Sequence, residues 1–353
     1  MSTMAADSKE VMVASRARQN RVTLRKTVVS CALLSAALLL AVVLMSLIGS
    51  EPLPAKASLC ALVSLGTNSC GLTRDQFDIL FQIRLPRILL AAAVGGSLAT
   101  AGAGYQALLR NPLAEPYLLG ISNGAAVGTM IALVFFGANE WTRPLLAFTG
   151  ALLATLAVYR LARGRAGATP ERLILAGVIV TTFLSSVIVF VTTLMDATRI
   201  RSFTFWLLGD LSGTSKALLP VAITIAIAGT VALTLNARSL NLLMLGERDA
   251  FDLGVEVGRV RVVVFVVASL LVGSSVAASG SVGYVGLVVP HLARLSLGSD
   301  NRITIPAAAL GGALFVIVAD TLARTIIAPR ELPVGAITAL IGAPLFIYLL
   351  KRA

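Results

Sequence analysis

Residues 28–47 read VVSCALLSAALLLAVVLMSL, twenty positions in a row without a charged side chain. At about 1.5 Å of rise per helical residue the run spans about 30 Å, the hydrocarbon thickness of a bilayer. It does not alternate polar with apolar, as a strand of an outer-membrane barrel would. Comparable runs bounded by charge, Pro or Gly recur at 87–109, 117–137, 144–162, 173–195, 217–236, 260–280, 282–297, 303–327 and 335–350. The predicted fold is therefore an all-α polytopic membrane protein with ten transmembrane helices, the eighth and tenth short.

Composition agrees with that reading. Of 353 residues, 57% are apolar and 13% charged, about half the charge of a soluble domain. A mean hydropathy of +0.90 does not suit one water-facing surface around one core. Three Cys exclude a disulfide-rich scaffold. The net charge of +12, in so apolar a chain, reads as cytoplasmic loops rather than a nucleic-acid surface.

Ten spans place both termini on one side. The first 26 residues carry Lys9, Arg16, Arg18, Arg21, Arg25 and Lys26 and lack a small-residue cleavage site, so a removed signal peptide is not expected. With that tail inside, 19 of the 29 Lys and Arg fall on the cytoplasmic side and 10 outside, while the acids divide 9 to 8. The expected topology is N-in, C-in. The expected organisation is a basic tail over 1–26 and one transmembrane domain over 27–353, with an external loop at 50–83 and a cytoplasmic loop at about 238–259.

Within span two, Gly95, Ala99, Ala103 and Ala107 fall at steps of four beside a parallel ridge of Ala92, Gly96, Thr100 and Gly104. Such ridges let helix backbones approach closely in lipid. Gly280, Gly283 and Gly286 serve close packing or break the chain between two helices. In the external loop, Thr73 and Gln76 fit a capping box before Phe77, Leu80 and Phe81, which predicts a short amphipathic helix on the outer face. Cys60 and Cys70 lie in the same loop, where a disulfide is chemically permitted, and Cys31 reads as a small buried residue.

Several long motifs occur in order: RLPRILLAAAVGGSLATAGAGYQALLRNPLAEP (84–116), RLILAGV (172–178), FWLLGDLSG (205–213), SVGYVGLVVPHLARLSLG (281–298), ADTLAR (319–324) and ELPVGAITALIGAPLFIYLL (331–350). Together they resemble the FecCD-type permeases, membrane subunits of ATP-driven importers for iron–siderophore complexes, haem and cobalamin. The resemblance runs from about residue 30 to the end. It implies the type II importer permease fold, a pore of two permease subunits (two copies or a related pair), ATP-binding cassette ATPase subunits, an extracytoplasmic substrate-binding protein and a bacterial inner membrane. The expected role is a transport subunit, not an enzyme. Siderophore import ranks above haem and cobalamin as the larger share of the family.

The resemblance also assigns roles to residues. Arg84, Arg87 and Arg324, otherwise readable as interfacial snorkelling side chains, are expected to face outward and dock acidic residues on the binding protein, a task suited to guanidinium forks. Asp320, four residues before Arg324, makes a favourable helical pair. In LGERDAFDLGVEVGRVR (245–261), the resemblance makes Glu247, Arg248, Asp249, Ala250, Leu253, Gly254 and Glu256 part of the helices that engage the ATPase, apolar knobs filling its cleft while charges set register. It places an inner gate at Asn111 and Leu113 and at Pro170 and Glu171, the second pair departing from the small hydroxyl residues of the cobalamin permease.

No lysine sits in a GxxxxGK[ST] loop, so ATP and Mg are expected on separate subunits and no cofactor in this chain. The single histidine, His291, lacks Cys or carboxylate at ligand spacing, and no metal site is expected. The rival class, an ion-driven secondary transporter, needs an ionisable residue near the midplane. Asp196, Asp210 and Asp320 are its candidates, and all three fall near external span ends in this topology.

Overall fold

A computed structural model describes residues 24–136, 141–164, 167–213 and 217–352; Lys9, Arg16, Arg18 and Arg21 of the basic tail lie outside the described residues. Helix α1 (Leu24–Leu47) leads to the short helices α2 (Ala55–Val63) and α3 (Arg74–Asp78). The Thr73 hydroxyl accepts from the Gln76 amide at 3.3 Å and Gln76 Oε1 accepts from the Thr73 amide at 3.2 Å, a reciprocal capping box. Helix α3 does not end as a separate surface helix. A π-helical turn, Ile79–Arg84, carries α3 directly into α4 (Leu85–Leu108), making one 35-residue helix from Arg74 to Leu108. Pro86 gives the reason: it lacks an N–H and crowds the carbonyl four residues earlier, and a widened turn accommodates both without ending the helix. Ala61, Leu72 and Leu80 form a small separate core with Phe77 and Phe81 against it, and a disulfide joins Cys60 to Cys70 beside it.

A 3₁₀ turn, Pro116–Leu119, ends at Gly120 in the left-handed region (φ 73°) and leads to α5 (Ile121–Ile131), which a π turn extends to Phe136. Then come α6 (Thr142–Ala162), α7 (Pro170–Thr192), α8 (Ala197–Leu207), α9 (Leu218–Leu235) and the short pair α10 (Ala237–Leu245) and α11 (Glu247–Asp252). The chain closes with α12 (Val257–Ser279), α13 (Val285–Leu297), α14 (Asn301–Thr325) and α15 (Val334–Arg352). The only sheet among the described residues pairs Arg163–Gly164 with Gly167–Ala168.

Among the described residues seven helices are long and apolar enough to cross a bilayer. Three shorter apolar helices, Ile121–Phe136, Val285–Leu297 and Val334–Leu349, accompany them. The eighth predicted run begins three residues late, at Val285, because Gly280 and Tyr284 both take positive φ and hold 280–284 out of the helix.

Helix α4 is the axis of the molecule. It packs against α1, α9, α12, α13 and α14, and almost every residue from Leu90 to Leu108 is buried. Glycine makes this possible, since lipid supplies little hydrophobic drive between helices and close backbone approach must replace it. A Cβ on Gly95 would strike the Gly312 carbonyl and one on Gly312 would strike that of Gly95; a Cβ on Gly102 would strike the Gly286 carbonyl, and one on Gly286 would meet the Leu98 carbonyl and Pro116. Polar contacts add to this packing: Thr100 to Thr230 (3.1 Å) ties α4 to α9, and Tyr105 to Ser269 (2.6 Å) ties α4 to α12.

Candidate functional site

At one end of α4 the three arginines occupy buried positions, 4%, 7% and 6% exposed for Arg84, Arg87 and Arg324. Their guanidiniums are held by neighbouring groups rather than projecting as free fingers. Arg84 donates to the carbonyls of Ser46 (3.3 Å), Leu47 and Glu51, and Arg324 donates to that of Met45 (3.2 Å). The carbonyl end of a helix carries partial negative charge and four unmatched acceptors, so α1 itself draws both guanidiniums inward. Gly49 leaves room for this, as a Cβ there would lie 2.5 Å from the Arg84 guanidinium carbon.

Arg87 holds two carboxylates. Its Nε and Nη2 donate to Asp320 at 2.9 and 2.8 Å, and its Nη1 donates to Glu331 at 2.8 Å. The Asp320 side chain is 1% exposed and Glu331 is 44% exposed. Asp320 also lies 3.4 Å from Arg324 Nε, an ion pair without hydrogen-bond geometry. Three cations thus share two carboxylates and one helix C-terminus, which is what allows charge to persist at this depth.

At the opposite end α10 and α11 meet at Gly246, and the turn at Gly254 (φ 82°) returns the chain to α12. The expected partner-facing residues divide in two. Arg248, Asp249, Leu253, Gly254 and Glu256 are exposed, whereas Ala250 is fully buried and Glu247 pairs with buried Arg261 at 2.5 Å. Sequence reasoning passed over Phe251, 71% exposed beside Leu253 at 60%. An aromatic residue inside a charged stretch between two glycines was its signal.

Asn241 of α10 fixes this corner to α14. It donates to Asp300 Oδ1 at 2.7 Å and accepts from the Asn301 amide and side chain, both at 2.9 Å. Burial pushes the Asp300 carboxyl up, but hydrogen bonds from Arg302 and Asn241 outweigh it and hold Asp300 below the usual range.

The expected gate residues gather at the same end. Asn111 Oδ1 accepts from the Leu113 amide at 2.9 Å, closing a tight turn with Leu113 44% exposed. Pro170 is the buried first residue of α7, where its missing N–H costs nothing. Glu171 is exposed and within electrostatic reach of Arg110 and Arg261, so the two segments and the Glu247 pair share one charged neighbourhood.

Two irregular segments meet between the ends. Glu115 Oε1 accepts from the Tyr284 amide at 3.1 Å, and the Tyr117 hydroxyl donates to the Val282 carbonyl (3.1 Å) and accepts from its amide (3.0 Å). Burial pushes the Glu115 carboxyl up, opposed by the Tyr284 N–H. Nearby α7 presents Thr182, Ser185 and Ser186 on an exposed face, with Asn123 donating to Ser185 at 2.7 Å. Among the described residues no group of three or more His, Cys, Asp or Glu is placed to hold a metal ion.

A sequence profile of the FecCD transport family matches residues 30–352, nearly the whole chain. The chain belongs to the FecCD transport family. The hemin transport system permease protein of Yersinia pestis is 41% identical over 286 residues, covering 78% of this chain and 84% of that protein. The cobalamin import system permease protein of Halobacterium salinarum is 42% identical over 273 residues, 77% of this chain and 73% of that one. A metal-chelate type ABC transporter, solved in an inward-facing conformation, superposes with a TM-score of 0.81 at 30% identity, over 92% of this chain and 99% of that one. The FecCD match begins at residue 30 and so leaves out the basic tail, while it contains the arginine cluster, the α10–α11 corner and both irregular segments.

Proposed function

We propose that this chain is the permease subunit of an ATP-driven importer of metal chelates, with an iron–siderophore as its cargo. Membership of the FecCD family over residues 30–352 carries the reading, and the relatives named for hemin and cobalamin support the chelate class. Haem and cobalamin are the alternative cargoes. The chain crosses a bacterial inner membrane ten times with both ends inside, seven long helices and three short ones making the ten. It pairs with a second permease subunit, its own copy or a related chain.

The α10–α11 corner is the ATPase contact. Exposed Phe251 and Leu253 are its knobs, and Arg248, Asp249 and Glu256 are the charges that set register. ATP and Mg are bound by those ATPase subunits. The turn at Asn111–Leu113 and the start of α7 at Pro170–Glu171 form the inner gate. The hydroxyl face of α7 lines the pathway, because exposed polar side chains on an apolar helix call for water rather than lipid. At the outer end, Arg84, Arg87 and Arg324 are the basic centre on which a binding protein's carboxylates converge.

The test is uptake by liposomes containing the permease, its ATPase and its binding protein, with and without ATP, for ferric siderophore, haem and cobalamin in parallel. ATP-dependent uptake of ferric siderophore alone is expected. Uptake that ignores ATP and follows an ion gradient would sink the importer reading, and uptake of haem or cobalamin instead would reassign the cargo.

A further inference from the structure

We infer that Glu331 is a built-in competitor for the docking partner: its carboxylate occupies the edge of Arg87 that an incoming carboxylate must take. The inference rests on the docking role proposed above for the outer cluster. Arg87 offers two edges. Nε and Nη2 are closed by Asp320, whose side chain is 1% exposed and fixed within α14. Nη1 is closed by Glu331 at 2.8 Å, and Glu331 is 44% exposed. The Arg87 side chain itself is 9% exposed, so a protein arriving from outside meets Glu331 before it meets the guanidinium.

Exchange at the Glu331 edge replaces one carboxylate by another and leaves the charge on Arg87 matched throughout. Exchange at the Asp320 edge would strand a buried anion, which is strongly unfavourable. Arg84 and Arg324 provide no equivalent position. Arg84 directs its donors to the carbonyls of residues 46, 47 and 51, and Arg324 to Met45 and Thr321.

Release of Glu331 reaches further than the surface. Glu331 lies in the short connection between α14 and α15, where the Leu332 amide donates to Ala323 (2.9 Å) and the Val334 amide donates to Gly209 (3.0 Å). Helix α15 starts close by, at Val334. Docking and loosening of this tether are then one event, and the first residues of α15 report on partner binding.

The experiment measures binding of the transport system's purified substrate-binding protein to the permease–ATPase complex in nanodiscs across a salt series. Glu331→Gln, at a half-exposed position, is chosen because it should fold normally. A half-exposed ion pair is worth about 1 kcal/mol, so the variant is expected to bind about fivefold tighter at low salt, the gain shrinking as salt rises. Hydrogen exchange in the unmodified complex is expected to quicken at the amides of Leu332 and Val334 when the binding protein is added. Unchanged or weaker binding by Glu331→Gln overturns the inference. Arg87→Lys, which keeps a cation beside Asp320 but loses the fork, separates the two levels of the claim. If it weakens binding while Glu331→Gln does not tighten it, docking stands and the competitor falls; if neither variant moves the affinity, both fall.

Discussion

Asp320→Asn measures how far the arginine cluster depends on one buried charge. The Asp320 side chain is 1% exposed, accepts from two nitrogens of Arg87 and pairs with Arg324 at 3.4 Å. Asparagine has the same size and keeps one acceptor oxygen, but it turns the other into an amide donor facing guanidinium donors. Arg87 and Arg324, 9% and 7% exposed at the side chain, lose the anion between them. Breaking a buried pair in this way costs about 3–5 kcal/mol; Glu331 still neutralises Arg87 in part, so about 3 kcal/mol is expected. Glu331→Gln acts on the same guanidinium from a half-exposed position and is expected to cost less than about 1 kcal/mol. In thermal unfolding of purified protein in detergent, these figures correspond to a fall of roughly 5–10 °C for Asp320→Asn against about 2 °C or less for Glu331→Gln. Equal shifts for the two variants, or a shift within about a degree of wild type for Asp320→Asn, would refute the claim that burial sets the strength of these pairs.

Gly312→Ala should lower the unfolding temperature by the equivalent of about 1–3 kcal/mol, since its Cβ meets the Gly95 carbonyl. Gly311→Ala is the control, meeting only a Val289 methyl at 3.2 Å, and equal losses in the two would count against close packing of α4 on α14. Phe251→Ala and Leu253→Ala should each weaken ATPase association by about five- to thirtyfold while leaving permease stability unchanged, as read by titration binding. Glu115 supplies a pH test. Its folded pKa is raised by burial, so the neutral form favours the folded state. That stabilisation is full below the unfolded pKa and is lost as pH rises through the folded pKa. Unfolding temperature should therefore fall over that range in wild type and less in Glu115→Gln; parallel profiles would remove Glu115 as the cause.

The sequence discloses most of the helices because each must be long, apolar and internally hydrogen-bonded to cross lipid, and runs such as 28–47 leave no other reading. The capping box at Thr73 was legible for the same local reason. Its continuation into α4 was not, because the π turn that accommodates Pro86 depends on how the whole segment packs. Arg84, Arg87 and Arg324 could be picked out by their motif, yet their burial could not, since the groups that hold them come from distant parts of the chain. Met45 and Arg324 are 279 residues apart, and Arg87 and Glu331 are 244 apart. Glu115 stands between Pro112 and Pro116 in the sequence, but its partner Tyr284 lies 169 residues further on, out of reach of any local pattern.

Helix α14 has 25 residues and is therefore about 37 Å long. Its first residues are gripped by Asn241 and its far end by Arg87, while Gly312 in the middle sits flush on Gly95. Fastened at both ends and at its waist, and with Pro306 as a point of weakness near its start, α14 moves most readily as a piece together with α4. A displacement of the α10 corner is then expected to travel along α14 to the arginine cluster at the other end.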